Sequence, residues 1–217
     1  MSIIVCRGIP LLLLCLLTNN VSASAYAGFE TDNEGGRTSF LGFQSGEQIV
    51  YDIFLADLDY RYINNGSTVS VNQKTVTPVL GIRRYGRWSK TFFIGPTFLL
   101  KEEDKGGTPL RTRQVGGTLK FSLYSTDPGL RKELLASYST TDQFTWTRAR
   151  IKQAIKNNVS IGGELILMGN EDAQSAGGGV LLEWIGKSGG VAIKVGYKKS
   201  TNDENTPYGG AEAFIPF

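Results

Sequence analysis

Hydrophobic and polar residues alternate in short runs through most of the chain, and clusters of Gly, Asn and Asp interrupt them. In the clearest run, Val115, Leu119 and Phe121 share one face, while Thr118 and Lys120 share the other. A period of two residues is typical of a β-strand that has one apolar and one polar face. The pattern therefore predicts an all-β fold.

The alternation predicts about twelve strands joined in chain order. Their expected spans are 27–31, 38–43, 49–62, 71–84, 91–101, 111–124, 134–139, 144–152, 159–168, 177–185, 191–198 and 208–217. The third strand is ambiguous, because Asp52, Asp57 and Asp59 do not share a face. The eighth also allows a helix, since Ile151 and Ile155 lie four positions apart, but the strands on either side favour a strand.

The last predicted strand ends on an aromatic residue. Phe217, Ile215 and Ala213 fall on one face, and Glu212 falls on the other. A terminal aromatic strand of this kind is read during the assembly of bacterial outer-membrane barrels, so we expect Phe217 and Ile215 to form a C-terminal assembly signal. The strand alone is also compatible with a soluble β-protein.

The connections between the predicted strands differ in length and charge according to their order. Those that follow odd-numbered strands are mostly longer and acidic, such as 102–108, 169–175 and 200–207. Those that follow even-numbered strands are mostly tight and basic. Short turns at one end, longer loops at the other and an even number of strands are typical of outer-membrane barrels. We therefore expect an antiparallel up-and-down transmembrane β-barrel in the outer membrane, with the lipid bilayer around it.

The first 25 residues have the pattern of a secretory signal. Arg7 is the one charge ahead of an apolar run at 9–17, and Ala23-Ser24-Ala25 supplies the small residues that a signal peptidase needs. The run is too short to span a bilayer. We expect cleavage after Ala25, which leaves residues 26–217 as a single barrel domain without cysteine.

Histidine is absent from the whole chain. Its absence excludes a Ser–His–acid triad, a Cys–His pair and a histidine metal site. Removal of Arg7 with the signal takes the formal charge at pH 7 from +3 to +2, a near-neutral value that gives no reason to expect a nucleic-acid partner. We expect no catalytic residue, no metal and no cofactor.

Charged side chains fall on the polar faces of several predicted strands and are candidates to face a barrel lumen. They are Lys120, Glu164, Glu183, Lys194, Lys198 and Glu212. Two of the glutamates could act as proton donor and nucleophile of a membrane-embedded glycoside hydrolase. The favoured interpretation is an interior network of ion pairs and water. A third possibility is a soluble, lipocalin-like periplasmic ligand binder whose apolar faces point inward.

Several stretches resemble a known family. The longest runs from Leu134 to Arg150 and includes Ser-Tyr-Ser-Thr-Thr-Asp-Gln-Phe-Thr-Trp-Thr-Arg-Ala-Arg. The shorter ones are Tyr26-Ala-Gly-Phe-Glu, Ile161-Gly-Gly-Glu-Leu, Gly169-Asn-Glu-Asp, Gly177-Gly-Gly-Val and Tyr208-Gly-Gly-Ala. Together they resemble the BcsS family of cellulose biosynthesis proteins from Gram-negative bacteria. The resemblance implies a non-enzymatic role beside the cellulose synthase, in export or surface organisation of the polymer. It implies cellulose or components of the synthase complex as partners, and no catalytic residues.

Overall fold

The computed structural model describes residues 23–216, apart from 65, 107–108, 126, 128, 172 and 201–204. In this part of the chain, twelve antiparallel strands follow one another around a closed barrel. The barrel closes where β1 pairs with β12, and Tyr26 lies opposite Phe214. The start of β1 and the end of β12 lie at one end of the barrel, here called the terminal end. The connections that follow odd-numbered strands lie at the opposite, loop end.

The observed strands confirm the predicted all-β barrel. Their bounds are β1 Ala23–Asp32, β2 Arg37–Ser45, β3 Ile49–Asn64, β4 Ser67–Arg84, β5 Trp88–Asp104, β6 Leu110–Ser125, β7 Leu130–Ser139, β8 Thr145–Lys156, β9 Val159–Gly169, β10 Gln174–Gly186, β11 Gly189–Ser200 and β12 Thr206–Pro216. Most are longer than expected, because pairing continues past the apolar alternation. The eighth segment is a strand, so the helical alternative is wrong. Of the signal predicted for residues 1–25, all but Ala23–Ala25 lies outside the described residues.

A belt of apolar side chains surrounds the outside of the barrel. On β4, Val76, Pro78, Leu80 and Ile82 point outward between Lys74 and Arg84. That stretch spans about nine residues, the length with which a tilted strand crosses a bilayer. Large apolar residues on the other strands are half exposed in the same way, among them Phe29, Leu41, Tyr51, Phe92, Ile94, Val115, Leu165, Leu182, Ile193 and Val195. Because the apolar faces point outward, the soluble lipocalin-like alternative is wrong.

β3 to β6 extend beyond the apolar belt at the loop end. Asp52 points inward and is buried, whereas Asp57 and Asp59 point outward above the belt. The Asn72 amide donates hydrogen bonds to both of these outer carboxylates, at 3.1 Å to Asp57 and 2.6 Å to Asp59. Asp52 thus faces the interior of the barrel, whereas Asp57 and Asp59 face the water outside the membrane.

The β7–β8 connection folds inward at the loop end. Its single 3-10 turn, Thr141–Gln143, holds Asp142 at φ 54° and Gln143 at φ 46°, in the left-handed region that non-glycine residues rarely adopt. The Thr140 N–H donates to the Gly117 carbonyl at 2.9 Å, and the Asp142 N–H donates to Gln114 Oε1 at 3.0 Å. No helix among the described residues is long and apolar enough to cross a membrane.

Candidate functional site

One half of the barrel interior, along β1 to β3, is aromatic. The rings of Tyr26, Phe40 and Phe54 pack together, with centroids 5.9 to 6.5 Å apart. Gly42 makes room for them, since a Cβ atom at this position would lie 2.1 Å from Tyr26 Cζ. The sequence therefore fills this side with bulky rings that face a glycine on the neighbouring strand.

The other half of the interior is ionic. Five cationic and five carboxylate side chains, most of them on β7 to β12, pair with one another within the described residues. They are Arg131, Arg148, Arg150, Lys152 and Lys194, with Glu30, Glu133, Glu164, Glu183 and Glu212. Since the two signs are equal in number, these ten groups carry no net charge when all are ionised.

Glu212 on β12 pairs with cationic side chains from two other strands. Its Oε1 lies 3.0 Å from Arg148 Nη1 and 2.6 Å from Arg150 Nη2, and its Oε2 lies 2.7 Å from Arg150 Nη1. Lys194 Nζ on β11 adds a contact at 3.3 Å. Both arginines come from β8, and β9 to β11 separate that strand from β12 around the wall. These ion pairs therefore cross the interior rather than running along the wall.

Glu164 on β9 lies beside this group and is fully buried. Arg150 Nε donates to its Oε2 at 2.5 Å, the Tyr208 hydroxyl donates to its Oε1 at 3.3 Å, and Lys194 Nζ lies 3.4 Å from Oε1. Arg150 thus binds two carboxylates with one planar guanidinium, as its fork of donors allows. A buried charge needs partners of this kind, because desolvation alone would be costly.

A second ionic group lies nearer the terminal end. Glu183 on β10 accepts Arg131 on one oxygen and Lys152 on the other, the latter at 2.9 Å. Lys152 also binds Glu133. Arg131 donates a further hydrogen bond to Ser160 Oγ at 2.7 Å. β8 and β9 lie between β7 and β10, so the Arg131–Glu183 pair also bridges non-adjacent strands.

Lys120 on β6 reaches across to the aromatic half. Its ammonium binds Asp52 on β3, and it lies 5.3 Å from the ring centroid of Phe93 and 5.6 Å from that of Phe54. The Tyr26 hydroxyl donates to the other oxygen of Asp52 at 2.8 Å. A cation over aromatic faces and against a buried carboxylate is held by both charge and ring quadrupoles.

The structure places all six sequence-predicted polar candidates on inward faces. Lys120, Glu164, Glu183, Lys194 and Glu212 belong to the contacts above, and Lys198 Nζ lies 2.6 Å from Asp32 Oδ2 nearer the loop end. Ile215 points outward and is half exposed. Phe217 lies outside the described residues, so the assembly signal stays a prediction.

Other interior residues were not selected from the sequence. Glu30 occupies the polar face of the predicted strand 27–31, so the same alternation could have identified it. Asp52 shares its face with Val50 and Phe54, and Glu133 precedes the predicted strand 134–139, so the alternation did not indicate either residue. Arg148 and Arg150 share their face with Trp146, so the sequence alone does not show whether they point inward or outward. Their inward position follows from register, because Arg150 pairs with Glu164 on β9 and Arg148 with Ile166.

The interior is better suited to holding strands together than to catalysis. Both oxygens of Glu164, of Glu183 and of Glu212 already accept hydrogen bonds from protein donors. A glycoside hydrolase needs one carboxyl group beside the leaving oxygen and a second one beside the anomeric carbon. No cluster among the described residues has the acidic, histidine or cysteine side chains to hold a metal ion.

Comparisons with known proteins agree with the barrel fold. A family model described as cellulose biosynthesis protein BcsS matches residues 18–217. No curated protein matches the chain. Among solved structures, the chain is similar to the KdgM porin, with a TM-score of 0.50 and 12% identity over 89% of this chain and 99% of that one. It is also similar to an outer-membrane channel from Pseudomonas putida, with a TM-score of 0.51 and 10% identity over 91% and 95% of the two chains.

A third similar structure is the CymD monoaromatic hydrocarbon channel, with a TM-score of 0.56 and 6% identity over 91% of this chain and 88% of that one. At these identities the likeness concerns the fold alone. A closed barrel with this fold and an apolar outer belt is an integral barrel of the outer membrane.

Proposed function

The chain belongs to the BcsS family of cellulose biosynthesis proteins, and we propose that it is a non-enzymatic accessory protein that supports cellulose production or export from the outer membrane by docking to partners. Its place in the outer membrane and its family support a role at the final stage of cellulose production. How the barrel contributes to that stage is inferred from its interior.

The ion pairs that cross the interior carry the proposal. Arg150 Nη2 and Glu212 Oε1 lie 2.6 Å apart although their strands are on different sides of the wall. Asp52 and Lys120 meet in the same manner between β3 and β6. These side chains occupy the lumen between opposite parts of the wall. A glucan chain would have to break both contacts in order to pass, which favours docking over conduction.

Polar surface outside the membrane belt offers places for docking. At the loop end, Asp57, Asp59, Glu102 and Arg111 face outward above the belt, and Arg111 Nε lies 2.8 Å from Glu102 Oε1. The polymer itself is a partner of suitable chemistry for this surface, whereas components of the cellulose synthase complex would dock at the opposite, terminal end. The bilayer covers the belt between the two ends.

The hydrolase alternative has less support. Glu164, Glu183 and Glu212 are held by arginine, lysine or tyrosine donors on both oxygens. An attacking or proton-donating carboxyl group must instead have an oxygen directed at the substrate. Activity on cello-oligosaccharides that disappears in a Glu→Gln variant of one of these residues would establish the alternative.

Deletion of the gene tests the proposal. We expect less cellulose at the cell surface, while cellulose synthesis by isolated inner membranes keeps its wild-type rate. A wild-type copy of the gene should restore the surface polymer. An equal loss of synthesis in isolated inner membranes would contradict the proposal, because a docking role at the outer membrane leaves the synthase reaction itself intact.

A further inference from the structure

A cup opens at the loop end of the barrel. It is a cavity of about 100 Å³ that opens to solvent, and it is bounded by the ends of β1 to β3 on one side and of β9 to β12 on the other. Phe144, next to the inward-folded 3-10 turn, completes the wall. With both barrel termini in the periplasm, as in outer-membrane barrels, this cup faces the cell exterior.

Polar pairs between the neighbouring strands β11, β12 and β1 line one side of the cup. Lys198 Nζ lies 2.6 Å from Asp32 Oδ2, and the Thr206 hydroxyl donates to Glu34 Oε1 at 2.5 Å. One layer deeper, Lys194 Nζ lies 2.9 Å from Glu30 Oε2. Below these contacts, the ion pairs of Glu212 with Arg148 and Arg150 cross the interior, so a ligand that enters the cup meets a floor instead of a passage.

One wall of the cup is a pair of tyrosines on β3. The rings of Tyr60 and Tyr62 stack with centroids 6.4 Å apart and an interplanar angle of 29°. Val69 and Val71, their cross-strand neighbours on β4, pack beside them. Burial raises the pKa of Tyr60 to about 12, so its hydroxyl keeps its proton and can donate a hydrogen bond at neutral pH. The pair supplies an apolar surface with polar edges.

The opposite wall offers amide and hydroxyl groups. The Asn170 amide donates to Asp142 Oδ2 at 2.6 Å, and Asp142 Oδ1 lies 3.1 Å from Lys101 Nζ. The Ala173 N–H donates to Asn170 Oδ1 at 2.9 Å. These bonds fix the positions of Asn170 and of the strained Asp142, which makes the wall rigid. Ser175 on β10 lines the cup next to them.

The charged side chains that point into the cup already have partners. Asp32 is paired with Lys198, and Glu34 accepts a hydrogen bond from Thr206, whereas Arg37, Asp59 and Arg61 point outward. A charged ligand would therefore have to compete with these contacts. Aromatic rings beside fixed hydrogen-bonding groups are suited to a neutral molecule that has apolar faces and hydroxyl edges. A pyranose ring has both features.

We propose that the cup binds the end of a neutral oligosaccharide chain, with Tyr60, stacked on the buried Tyr62, packing against a sugar ring. The lining of the cup indicates a neutral oligosaccharide, whereas the assignment of this ligand as a β-linked glucan rests on the proposed function. A closed floor suits a chain end or a short segment that is held at the cell surface. The site thus lets the barrel anchor a polymer without conducting it.

Calorimetric titration of the purified, folded full-length barrel in detergent with cellohexaose tests the inference. We expect saturable binding by the wild type. Tyr60→Ala removes half of the aromatic wall and should weaken binding at least roughly tenfold. Ser175→Trp fills the cup from the opposite side and should abolish binding. Because this variant keeps Tyr60, it tests the cup even if Tyr60→Ala fails to fold. Tyr197→Ala, on the lipid-facing side of β11, is the matched control and should bind as the wild type does.

Absence of binding to cellohexaose by the wild type, or unchanged binding in both cup variants, would overturn the inference. Binding of maltohexaose in preference to cellohexaose would overturn the assignment of the ligand as a β-linked glucan. The proposed function has a separate readout in the deletion strain. Loss of surface cellulose without cellohexaose binding rejects the cup alone, and binding without any loss of surface cellulose rejects the accessory role alone.

Discussion

Arg150 on β8 and Glu212 on β12 are joined by two hydrogen bonds, of 2.7 and 2.6 Å, across the interior of the barrel. β9 to β11 lie between their strands around the wall. A bidentate pair of this geometry is among the stronger polar contacts in proteins. It ties together parts of the wall that do not hydrogen bond with each other, and it occupies the space that a pore would need.

Removal of the Glu212 charge should weaken the folded barrel. Glu212→Gln leaves Arg148, Arg150 and Lys194 with one carboxylate fewer among them. Breaking a buried ion pair from one side costs about 3–5 kcal/mol. We expect the free energy of unfolding, measured by urea titration in lipid vesicles, to fall by that order.

The matched control is Glu102→Gln on the outer wall. Its partner Arg111 is 71% exposed, so this ion pair is screened by water. We expect a change below about 1 kcal/mol. Equal losses in the Glu212 and Glu102 variants would mean that the interior network does not stabilise the barrel more than a surface pair does.

Two aspartates on β3 offer a second matched comparison. The Asp52 side chain is fully buried and binds both Lys120 and Tyr26, whereas the Asp57 side chain is 43% exposed and lies 3.6 Å from Lys74. Asp52→Asn should lower the temperature at which heat-modifiable gel migration is lost, and Asp57→Asn should leave it unchanged. A larger effect at Asp57 would contradict the contact across the interior.

Adjacent glycines on β6 test the inward-folded turn. A Cβ atom on Gly116 would lie 2.4 Å from Thr140 Oγ1 and 3.0 Å from the Thr141 backbone nitrogen, while one on Gly117 would meet nothing within 4 Å. Gly116→Ala should therefore displace the turn at a cost of about 1–3 kcal/mol. Hydrogen exchange at Thr141 and Asp142 should accelerate in this variant and not in Gly117→Ala. Similar exchange in both variants would show that the turn does not pack on Gly116.

The secretory signal can be tested by mass. Cleavage after Ala25 would leave Tyr26 as the first residue of the mature chain, and Tyr26 pairs with Phe214 where the barrel closes. We expect the intact mass of the protein from purified outer membranes to correspond to residues 26–217. A mass that retains Ala23–Ala25, which begin β1, would place the cleavage site earlier.

The strands could be predicted from the sequence because their alternation is a local property. The inward position of Glu164, Lys194 and Glu212 follows from the same period of two residues. Their partners could not be predicted, since Arg148 and Glu212 are 64 residues apart and meet only through the closure of the barrel. Whether Arg148 points inward or outward also depends on the register of the closed sheet, because its face carries both aromatic and basic residues.

The cup was beyond prediction for a different reason. Its lining comes from short pieces of several strand ends and from a turn that folds inward. Tyr60 and Tyr62 are two positions apart on one strand and share a face in any strand model. No local sequence pattern indicates that Asn170 and Asp142, which belong to different connections, lie around the same opening as these tyrosines.

Single-channel recording in planar lipid bilayers tests most directly whether the barrel supports cellulose production without conducting the polymer. The purified wild type should insert and give no steady open-pore current, because ion pairs cross its interior. The double variant Arg150→Ala/Glu212→Ala, which keeps the net charge and removes every ion pair that these two residues make, should give measurable openings. A steady, wide-pore conductance from the wild type, unchanged in the double variant, would contradict the account.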